Sequence, residues 1–482
     1  MEDRTSNVLV SNTRLSNVSL RESTMSSITS AASATPQQAP PAHPGRAALQ
    51  HIPGDEGWPL IGLLPRYFYH LDTLVMHTQR RFGNVVRTRI PGNVGLFVFG
   101  ADNYQRIFLD REQLFSARHG YQSSLGHLFT EALLLQDYED HRFRRRLMQS
   151  AFKTHSLRQY PAQMNPIIAD ELADWSRPSG MTIHARLKNL LLKISARTFF
   201  GIAADNTDTL QLSRNFTDLV EAMLALLRWD LPGFRYHRGL RSRRALEQYF
   251  NGLIPQRRHG DGQDMLSHMC RETDDRGEPF SDEEITNQAI FLLFAAHDTT
   301  TSLLNNLLLH LARDETLQES LRGQSRALNT DYPAFDELDG LSGLDHCIDE
   351  CLRLYPPAPI SVRSTLRDCA IEGYPVPAGT TLYLPMLFNQ RDPQFWRQPH
   401  RFDPDRFAPG REEHKQHPFA YHPFGGGAHK CIGMHFARMM AKCVMHQLLL
   451  RQRITLPAGH RSRILWIPLP RPAKLPLRFA PL

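Results

Sequence analysis

Apolar residues recur at helical spacing along most of the chain. Positions three and four residues apart predict helices at residues 169–175, 187–200, 216–227 and 240–253. Alternating apolar and polar residues predict two early strands, at 84–90 and 95–99, joined by a turn at Pro91-Gly92-Asn93. Toward the C-terminus the helical pattern ends, and prolines and glycines become frequent. The pattern predicts a mainly α-helical protein with a small strand-rich region.

One helix is predicted to be much longer than the others. Ser281 and Glu284 have the spacing of a capping box, and the helical pattern continues to about Arg313. At about 1.5 Å per residue such a helix is about 50 Å long, enough to cross a whole domain. It is apolar on nearly all sides at residues 290–296, so we expect it to be central and buried.

The N-terminal segment differs in composition from the rest of the chain. Residues 1–48 are rich in Ser, Thr, Ala, Asn and Pro, which predicts a disordered leader. Three arginines and few acidic residues also suit an organellar transit peptide; an unstructured bacterial extension or translation from Met25 fits equally well. Residues 49–482 contain no second low-complexity linker and no repeat, so we predict a single domain there.

Charge and cysteine content narrow the class of protein. The net charge is +7, but the basic residues are scattered, which argues against nucleic-acid binding and favours an acidic protein partner. No apolar stretch is long enough to span a membrane, and the six irregularly spaced cysteines fit a reducing compartment. We therefore expect a soluble, cytoplasmic protein, in which Cys347 and Cys351 are small core residues.

A glycine-rich segment precedes one cysteine. Gly425, Gly426 and Gly427 come shortly before Cys431 and would let the backbone approach a flat cofactor closely. A thiolate is a ligand that donates electron density to heme iron. From the residues alone, an inert buried cysteine after a turn also fits, whereas a phosphate loop would need Lys and then Ser or Thr after its last glycine.

This segment resembles the heme loop of the cytochrome P450 superfamily. Phe424, Gly427, Cys431 and Gly433 match each fixed position of the family pattern, and His429 stands where the family carries a heme-propionate contact. The resemblance implies a single triangular, mostly α-helical domain with a small β-sheet region and a long central helix. It also implies heme b (iron protoporphyrin IX) as cofactor, with Cys431 as the iron ligand.

The long helix carries a second motif. Residues 295–300, Ala-Ala-His-Asp-Thr-Thr, resemble the family's oxygen-activation motif, with Ala296 in place of the commoner glycine. The resemblance implies that Asp298 and Thr299 relay protons to bound dioxygen. Without it, both side chains would be expected only to hydrogen-bond within the helix.

Glu350 and Arg353 lie three residues apart on a short predicted helix. In isolation such a pair is usually a weak surface ion pair. In the family, Glu and Arg at this spacing pair with an arginine in a downstream Pro-x-Arg-Phe segment, here Arg406. The resemblance therefore implies a buried structural network of Glu350, Arg353 and Arg406 that holds the heme loop.

Basic residues upstream have two predicted roles. His141 and Arg145 share a helix face, and by resemblance these two residues and Arg363 contact the heme propionates. The remaining arginines of the run 142–146, together with Lys430, predict a positive patch where an acidic ferredoxin docks.

The resemblance implies a monooxygenase that inserts one oxygen atom from O₂ into a lipophilic substrate, which we expect to be terpenoid or steroid-like and part of secondary metabolism. The chain has no room for a flavin or nicotinamide domain. We therefore expect electrons from NAD(P)H to arrive through a ferredoxin and ferredoxin reductase, or through a flavodoxin. The protein is expected to be a monomer. The alternatives are a peroxide-driven or reductant-independent heme-thiolate enzyme and a non-catalytic heme sensor; the Asp298-Thr299 pair argues against both.

Overall fold

The computed structural model describes residues 41–58, 62–90, 93–177, 181–203, 207–225, 227–274 and 276–482. Its helices are α1 (Leu64–Phe82), α2 (Ala101–Leu109), α3 (Ala117–Leu125), α4 (Tyr138–Gln149), α5 (Thr154–Leu157), α6 (Tyr160–Ala173), α7 (Ile183–Phe200), α8 (Thr207–Met223), α9 (Arg235–His259), α10 (Met265–Arg271), α11 (Asp282–Leu311), α12 (Glu315–Ala327), α13 (Ser342–Leu354), α14 (Met386–Asn389) and α15 (Met434–Arg451). Its strands are β1 (Gly54–Asp55), β2 (Val85–Ile90), β3 (Asn93–Val98), β4 (Phe115–Ser116), β5 (Ile360–Thr365), β6 (Cys369–Ile371), β7 (Tyr374–Val376), β8 (Thr381–Pro385), β9 (Gln452–Thr455), β10 (Ile464–Leu465), β11 (Arg471–Pro472) and β12 (Arg478–Pro481).

The long helix α11 forms as its sequence predicts. Ser281 Oγ accepts a hydrogen bond from the Glu284 backbone N–H at 3.2 Å, and the Ser281 N–H donates to Glu284 Oε2 at 3.0 Å. The helix spans 30 residues, which is about 45 Å. Residues 285–290 and 300–309 are all buried, because α7, α9, α13 and β11 pack around them. The predicted central, buried helix is confirmed.

The four helices predicted from apolar spacing all begin before their predicted start, and two of them contain prolines. Helix α6 begins at Tyr160, ahead of the predicted start, and contains Pro161 in its first turn and Pro166 inside. Helix α9 continues past Pro255 to His259. Proline normally interrupts a helix, so the sequence pattern does not predict the helical turns around these prolines. Burial of Tyr160, Met164 and Ile254 stabilises those turns. Helix α8 ends at Met223, before the predicted end.

The strands form one larger sheet and three small ones. The larger sheet has six strands in the order β1-β2-β3-β8-β5-β4, and β2 and β3 form the predicted antiparallel hairpin, with Val85 opposite Val98. Pro91 and Gly92 of its predicted turn lie outside the described residues. Strand β3 also pairs in parallel with β8. This pairing joins the first third of the chain to the segment that precedes the cysteine loop.

Three apolar clusters make up the core. The largest lies around α7, α11 and α15, and includes Cys347 and Cys351, which are 0% and 1% exposed as expected for small core residues. The other two cover the faces of the larger sheet. Among the described residues, no helix is long and apolar enough to cross a membrane.

The predicted leader boundary at residue 48 falls in a described segment. The carbonyl oxygens of Pro41 and Ala42 lie so close to Gly379 that a Cβ there would be 2.9 and 2.4 Å from them. Leu49 is fully buried, and Arg46 pairs with Glu56 at 3.0 Å. The last residues of the predicted leader therefore contact the body of the protein; residues 1–40 lie outside the described part.

Candidate active site

The glycine-rich segment folds back on itself and presents Cys431. The Cys431 N–H donates to the Phe424 carbonyl oxygen at 2.9 Å, and the Lys430 N–H donates to that of Gly427 at 3.2 Å. Gly425 and Gly427 have φ of +73° and +61°, in the left-handed region that glycine adopts at low cost. Helix α15 begins directly after Gly433. The cysteine therefore sits at the junction of a tight loop and a buried helix.

Close packing explains two of the glycines. A Cβ on Gly427 would lie 1.8 Å from the carbonyl oxygen of Phe108 in α2, and a Cβ on Gly426 would lie 2.6 Å from the Phe419 ring. A Cβ on Gly433 would meet only the Phe152 ring, at an ordinary 3.6 Å. Protein packing thus demands Gly426 and Gly427 but leaves space beside Gly433.

Cys431 differs from the other cysteines in its surroundings. It is exposed, whereas Cys369 is half-buried and Cys270, Cys347, Cys351 and Cys443 are buried. Protein atoms still surround the thiol closely, and this burial raises its pKa, while the Gly433 N–H and the charge of Arg145 act in the opposite direction. Its exposed surface therefore lies in close-packed surroundings, where a nearby cation and an amide partly offset the effect of burial on the thiol.

Basic side chains gather beside the cysteine loop. The His141 and His429 rings have centroids 4.1 Å apart. Burial, followed by the charges of Arg145 and Arg363, lowers the pKa of His141 to about 4. The pKa of His429 is lowered by burial and then by Arg363, His141 and Arg145. All four predicted propionate contacts therefore come together in one cluster.

Within the described part of the chain, the two arginines of this cluster have no directly paired carboxylate; Asp137 and Asp110 act on Arg363 only at longer range. Among the residues that the structure describes, neither Arg145 nor Arg363 has a carboxylate within ion-pair distance, although Arg363 is only 4% exposed. Asp137 lies 3.8 Å from His429, but its carboxylate already accepts hydrogen bonds from Ser116 Oγ at 2.5 Å and the Ala117 N–H at 2.8 Å. Two guanidinium groups, one buried and one partly buried, without a paired carboxylate and with two neutral imidazoles beside them fit a ligand that carries negative charge.

Helix α11 carries a narrow stripe of partly buried residues. Between the buried stretches 285–290 and 300–309, Ala296 is partly buried, and so are Phe291, Phe294, Ala295, Asp298 and Thr299. Their spacing of three and four residues puts them on one face of the helix. Phe291 and Phe294 also contact the Phe129 ring, with centroids 6.0 and 4.7 Å apart. A partly uncovered, mainly apolar stripe on a central helix is suited to lining a substrate cavity.

The two predicted proton-relay residues make different contacts. Thr299 Oγ1 donates to the Ala295 carbonyl oxygen at 2.8 Å, a bond within the helix. Asp298 Oδ1 lies 3.1 Å from Lys188 Nζ and 3.1 Å from His297 Nδ1. Burial would raise the pKa of Asp298, but the contacts with His297 and Lys188 outweigh it and lower that pKa well below its usual range. Asp298 is therefore held as a carboxylate.

Glu350, Arg353 and Arg406 form one contact network, and all three are 0% exposed. Arg353 Nε and Nη2 donate to the two Glu350 oxygens at 2.6 and 2.8 Å, and Arg406 Nε donates to Glu350 Oε1 at 3.2 Å. Arg406 Nη1 also donates to Glu413 Oε2 at 2.8 Å. Glu413 was not predicted, because it lies in an irregular segment without periodic spacing.

A second unpredicted residue, Gln390, links this network to the cysteine loop. Its carbonyl oxygen accepts from Arg353 Nη1 at 2.7 Å, and its amide donates to the carbonyl oxygens of Leu352 and Arg353 at 3.0 Å each. Gln390 Oε1 accepts from the His422 N–H at 3.2 Å, two residues before Phe424. The buried ion pairs thus connect directly to the backbone that enters the loop.

The basic run at 142–146 is not the uniform positive patch that the sequence predicts. Arg144 is 17% exposed and pairs with Glu131 at 3.0 Å and Glu284 at 3.2 Å, so its charge is neutralised inside the fold. Arg142 is 70% exposed and pairs with Glu139, which is itself exposed. The prediction that Arg144 belongs to a docking surface is therefore wrong, because two carboxylates that are distant in sequence pair with it.

Comparison with known proteins decides the family. The family model for cytochrome P450 matches residues 52–465. The chain belongs to the cytochrome P450 family. A putative cytochrome P450 136 of Mycobacterium tuberculosis is 34% identical over 417 residues, covering 86% of this chain and 85% of that protein. Cytochrome P450 26B1 of Rattus norvegicus is 28% identical over 434 residues, covering 87% of this chain and 84% of that protein.

Solved structures share the fold. The retinoic acid-bound cyanobacterial CYP120A1 has a TM-score of 0.81 and 28% identity, over 89% of this P450 chain and 99% of the other. The cytochrome P450DA heme domain, at 22% identity and a TM-score of 0.79, shows the fold alone. The protein is thus a heme-thiolate monooxygenase with heme b as cofactor, and membership of the family implies redox partners, a substrate and O₂.

The buried network makes a stability prediction. Glu350→Ala leaves Arg353 and Arg406 buried without their carboxylate, which typically costs about 3–5 kcal/mol. We expect the variant to be insoluble or free of heme. The matched control is Glu139→Ala, because Glu139 and Arg142 have the same three-residue spacing but are 74% and 70% exposed. That exposed pair should contribute about 1 kcal/mol or less. Urea unfolding and heme content measure both; equal effects of the two substitutions would contradict the network.

Proposed function

We propose that Cys431 would bind the heme iron as a thiolate and that the basic cluster would hold the heme propionates. The observation that carries this proposal is that an exposed cysteine lies near Arg145, which, like Arg363, has no directly paired carboxylate among the described residues. His141, Arg145, Arg363 and His429 would bind the carboxylates. Phe424, Gly427 and Gly433 would shape the loop, and the space beside Gly433 would accommodate the edge of the cofactor.

The chain's own residues prepare this site for chemistry. Bound heme supplies redox chemistry that activates dioxygen once electrons and protons arrive. The Gly433 N–H and the Arg145 charge favour the thiolate form of Cys431. The aromatic wall of Phe129, Phe291 and Phe294 excludes water from the substrate space. We propose that Thr299 and Asp298 deliver protons from the α11 side of the cavity.

The substrate is proposed to be a terpenoid-type lipophile. The cavity stripe of α11 is apolar apart from Asp298 and Thr299, which suits a hydrocarbon skeleton. A relative's solved structure contains retinoic acid, an isoprenoid acid. Retinoic acid is therefore the first probe for a substrate-induced shift of the heme spectrum, and a saturated fatty acid of similar length is the comparison. Tighter binding of the fatty acid would contradict the terpenoid assignment.

We also propose that electrons come from a ferredoxin that docks on the cysteine side of the heme. Arg142 and Lys430 are exposed there, whereas Arg144 is not. The protein is proposed to act as a cytoplasmic monomer, with NAD(P)H and a ferredoxin reductase, or a flavodoxin, completing the electron supply. An acidic partner would be attracted to the exposed cations.

The heme ligand is tested by the carbon monoxide spectrum. Wild-type protein, once reduced, should show the red-shifted Soret band of a thiolate-ligated heme, and Cys431→His should lose it. Cys369→Ser, which changes a half-buried cysteine in β6, should keep the band. A histidine-type spectrum of the wild type would refute the assignment of Cys431.

The proton-delivery role is tested at Thr299. Thr299→Ala should keep heme binding but lower the product formed per NAD(P)H about tenfold, as expected when a contact worth about 1.4 kcal/mol at the transition state is lost. The remaining reducing equivalents should appear as hydrogen peroxide. Thr301→Ala is the control, because Thr301 makes the same bond to a carbonyl four residues earlier, at 2.9 Å, yet is 1% exposed. Equal coupling in both variants would rule out a special role for Thr299.

The docking surface is tested by salt dependence. Arg142→Glu should raise the apparent Michaelis constant for ferredoxin and flatten its rise with salt, because screening weakens attraction between exposed charges. Arg177→Glu is the control, since Arg177 is 78% exposed and pairs three residues away with Asp174, as Arg142 does with Glu139. First-electron transfer is measured across a salt series. Parallel slopes for Arg142→Glu and Arg177→Glu would place the docking site elsewhere.

A further inference from the structure

One carboxylate of α13 contacts side chains on both sides of the cysteine loop. Tyr421, which precedes the loop, donates its hydroxyl hydrogen to Asp349 Oδ1 at 2.6 Å. Arg438, which follows Gly433 on α15, donates from Nη2 to the same oxygen. The neighbouring Glu350 binds a different pair of side chains. The loop is therefore tied, before it begins and after it ends, to a single residue of α13.

These contacts are largely shielded from water. The side chains of Asp349 and Arg438 are 15% and 22% exposed. Burial, followed by the charge of Asp349, raises the pKa of Tyr421 well above its usual range, so its hydroxyl stays protonated and remains a donor. A hydrogen bond to an ionised acceptor is shorter and stronger than one between neutral groups. The contacts of Asp349 are therefore stronger than those of an exposed ion pair.

The Arg438 guanidinium lies close to the backbone that holds the cysteine. Its carbon Cζ is 5.9 Å from the centroid of the Phe424 ring, within range of a cation–π contact. The carbonyl oxygen of Phe424 in turn accepts the hydrogen bond from the Cys431 N–H at 2.9 Å. A positive charge is therefore held beside the residue whose backbone binds the proposed iron ligand.

A second ion pair borders the first. Asp345, one turn earlier on α13, lies 3.5 Å from Arg438 Nη1 and 2.6 Å from Lys442 Nζ. Burial lowers the pKa of His414, which also faces Asp349, so this imidazole is neutral at physiological pH. Among the described residues, Asp349 is therefore the carboxylate in closest contact with Arg438, whereas Asp345 is shared with Lys442.

We propose that Asp349 is a positioning residue that ties both ends of the cysteine loop and holds the Arg438 charge beside it, and that this pair sets the reduction potential of the bound heme. The inference rests on the role proposed above for Cys431 as the heme ligand. Reduction of the iron adds one electron, so a nearby cation favours the reduced form and a nearby anion favours the oxidised form. The two members of the pair therefore act in opposite directions on the potential.

The variants are chosen to separate charge from structure. Asp349→Asn removes the negative charge, Arg438→Met removes the positive charge, and Arg438→Lys keeps it. Tyr421→Phe removes one hydrogen bond and leaves every charge in place. Arg451→Met and Asp331→Asn are the matched controls, because Arg451 ends the same helix α15 and pairs with Asp331 at 3.1 Å. Heme content checks that each variant folds.

The first readout is the reduction potential of the heme-loaded, substrate-free protein, measured by spectroelectrochemical titration. Asp349→Asn should raise the potential, and Arg438→Met should lower it. The double variant should return toward the wild type, and Arg438→Lys and both controls should stay near it. A loop that only becomes disordered would shift both single variants in the same direction. Shifts of equal sign, or no shift in either single variant, would overturn the proposal.

The second readout is the rate at which the carbon monoxide complex loses its red-shifted band at a fixed urea concentration. Asp349→Asn and Tyr421→Phe should lose the band about tenfold faster than the wild type, as expected when one charge-assisted hydrogen bond is removed. Tyr421→Phe supplies this test where Asp349→Asn does not retain heme. Arg451→Met and Asp331→Asn should lose the band at the wild-type rate.

The two levels of the proposal fail in different ways. If the wild type itself shows a histidine-type carbon monoxide band, the proposed role of Cys431 fails. If the wild type shows the thiolate-type band but Asp349→Asn and Tyr421→Phe behave like Arg451→Met in both readouts, only this inference fails.

Discussion

The buried carboxylate of Glu350, held between Arg353 and Arg406, fixes the position of the cysteine loop. Three fully buried charges are costly to remove from water, and they are tolerated only when each is paired and hydrogen-bonded. Here the hydrogen bonding of the three side chains is nearly complete, because Arg353 also donates to backbone carbonyl oxygens and Arg406 donates to Glu413. Gln390 links this network by a hydrogen bond to His422, at the start of the segment that ends in Cys431.

Helix α11, which carries the other predicted motif of the site, is positioned by a different kind of interaction. Helix α11 is held along its length by apolar packing and begins at a complete capping box. Its middle section carries the partly buried stripe with Asp298 and Thr299, so these side chains are presented from a rigid element. Beside the cysteine loop, the basic cluster supplies cations that have no directly paired carboxylate among the described residues. Such an arrangement is stable when an anionic cofactor completes it.

The sequence predicts well what is encoded locally. The capping box and the apolar pattern locate α11, and the loop from Phe424 to Gly433 is recognisable because it has the fixed spacing of the family's heme loop. Gln390 and Lys188 were missed because their partners are distant in the chain; Gln390 Oε1, for example, binds a group 32 residues away. Glu413, whose partner Arg406 is close in sequence, was missed because it lies in a segment without periodic spacing. The same reason explains the error at Arg144, whose partner Glu284 lies 140 residues away. Such long-range pairs follow from the packing of helices and leave no periodic signal in the sequence.

The central claim is that this fold places the Cys431 sulfur on the iron of a bound heme. X-ray absorption at the iron edge of the purified, resting protein tests it most directly, because sulfur and nitrogen neighbours scatter differently. The account predicts one sulfur atom in the first coordination shell, lost in Cys431→His. A first shell of nitrogen and oxygen alone in the wild type would contradict it.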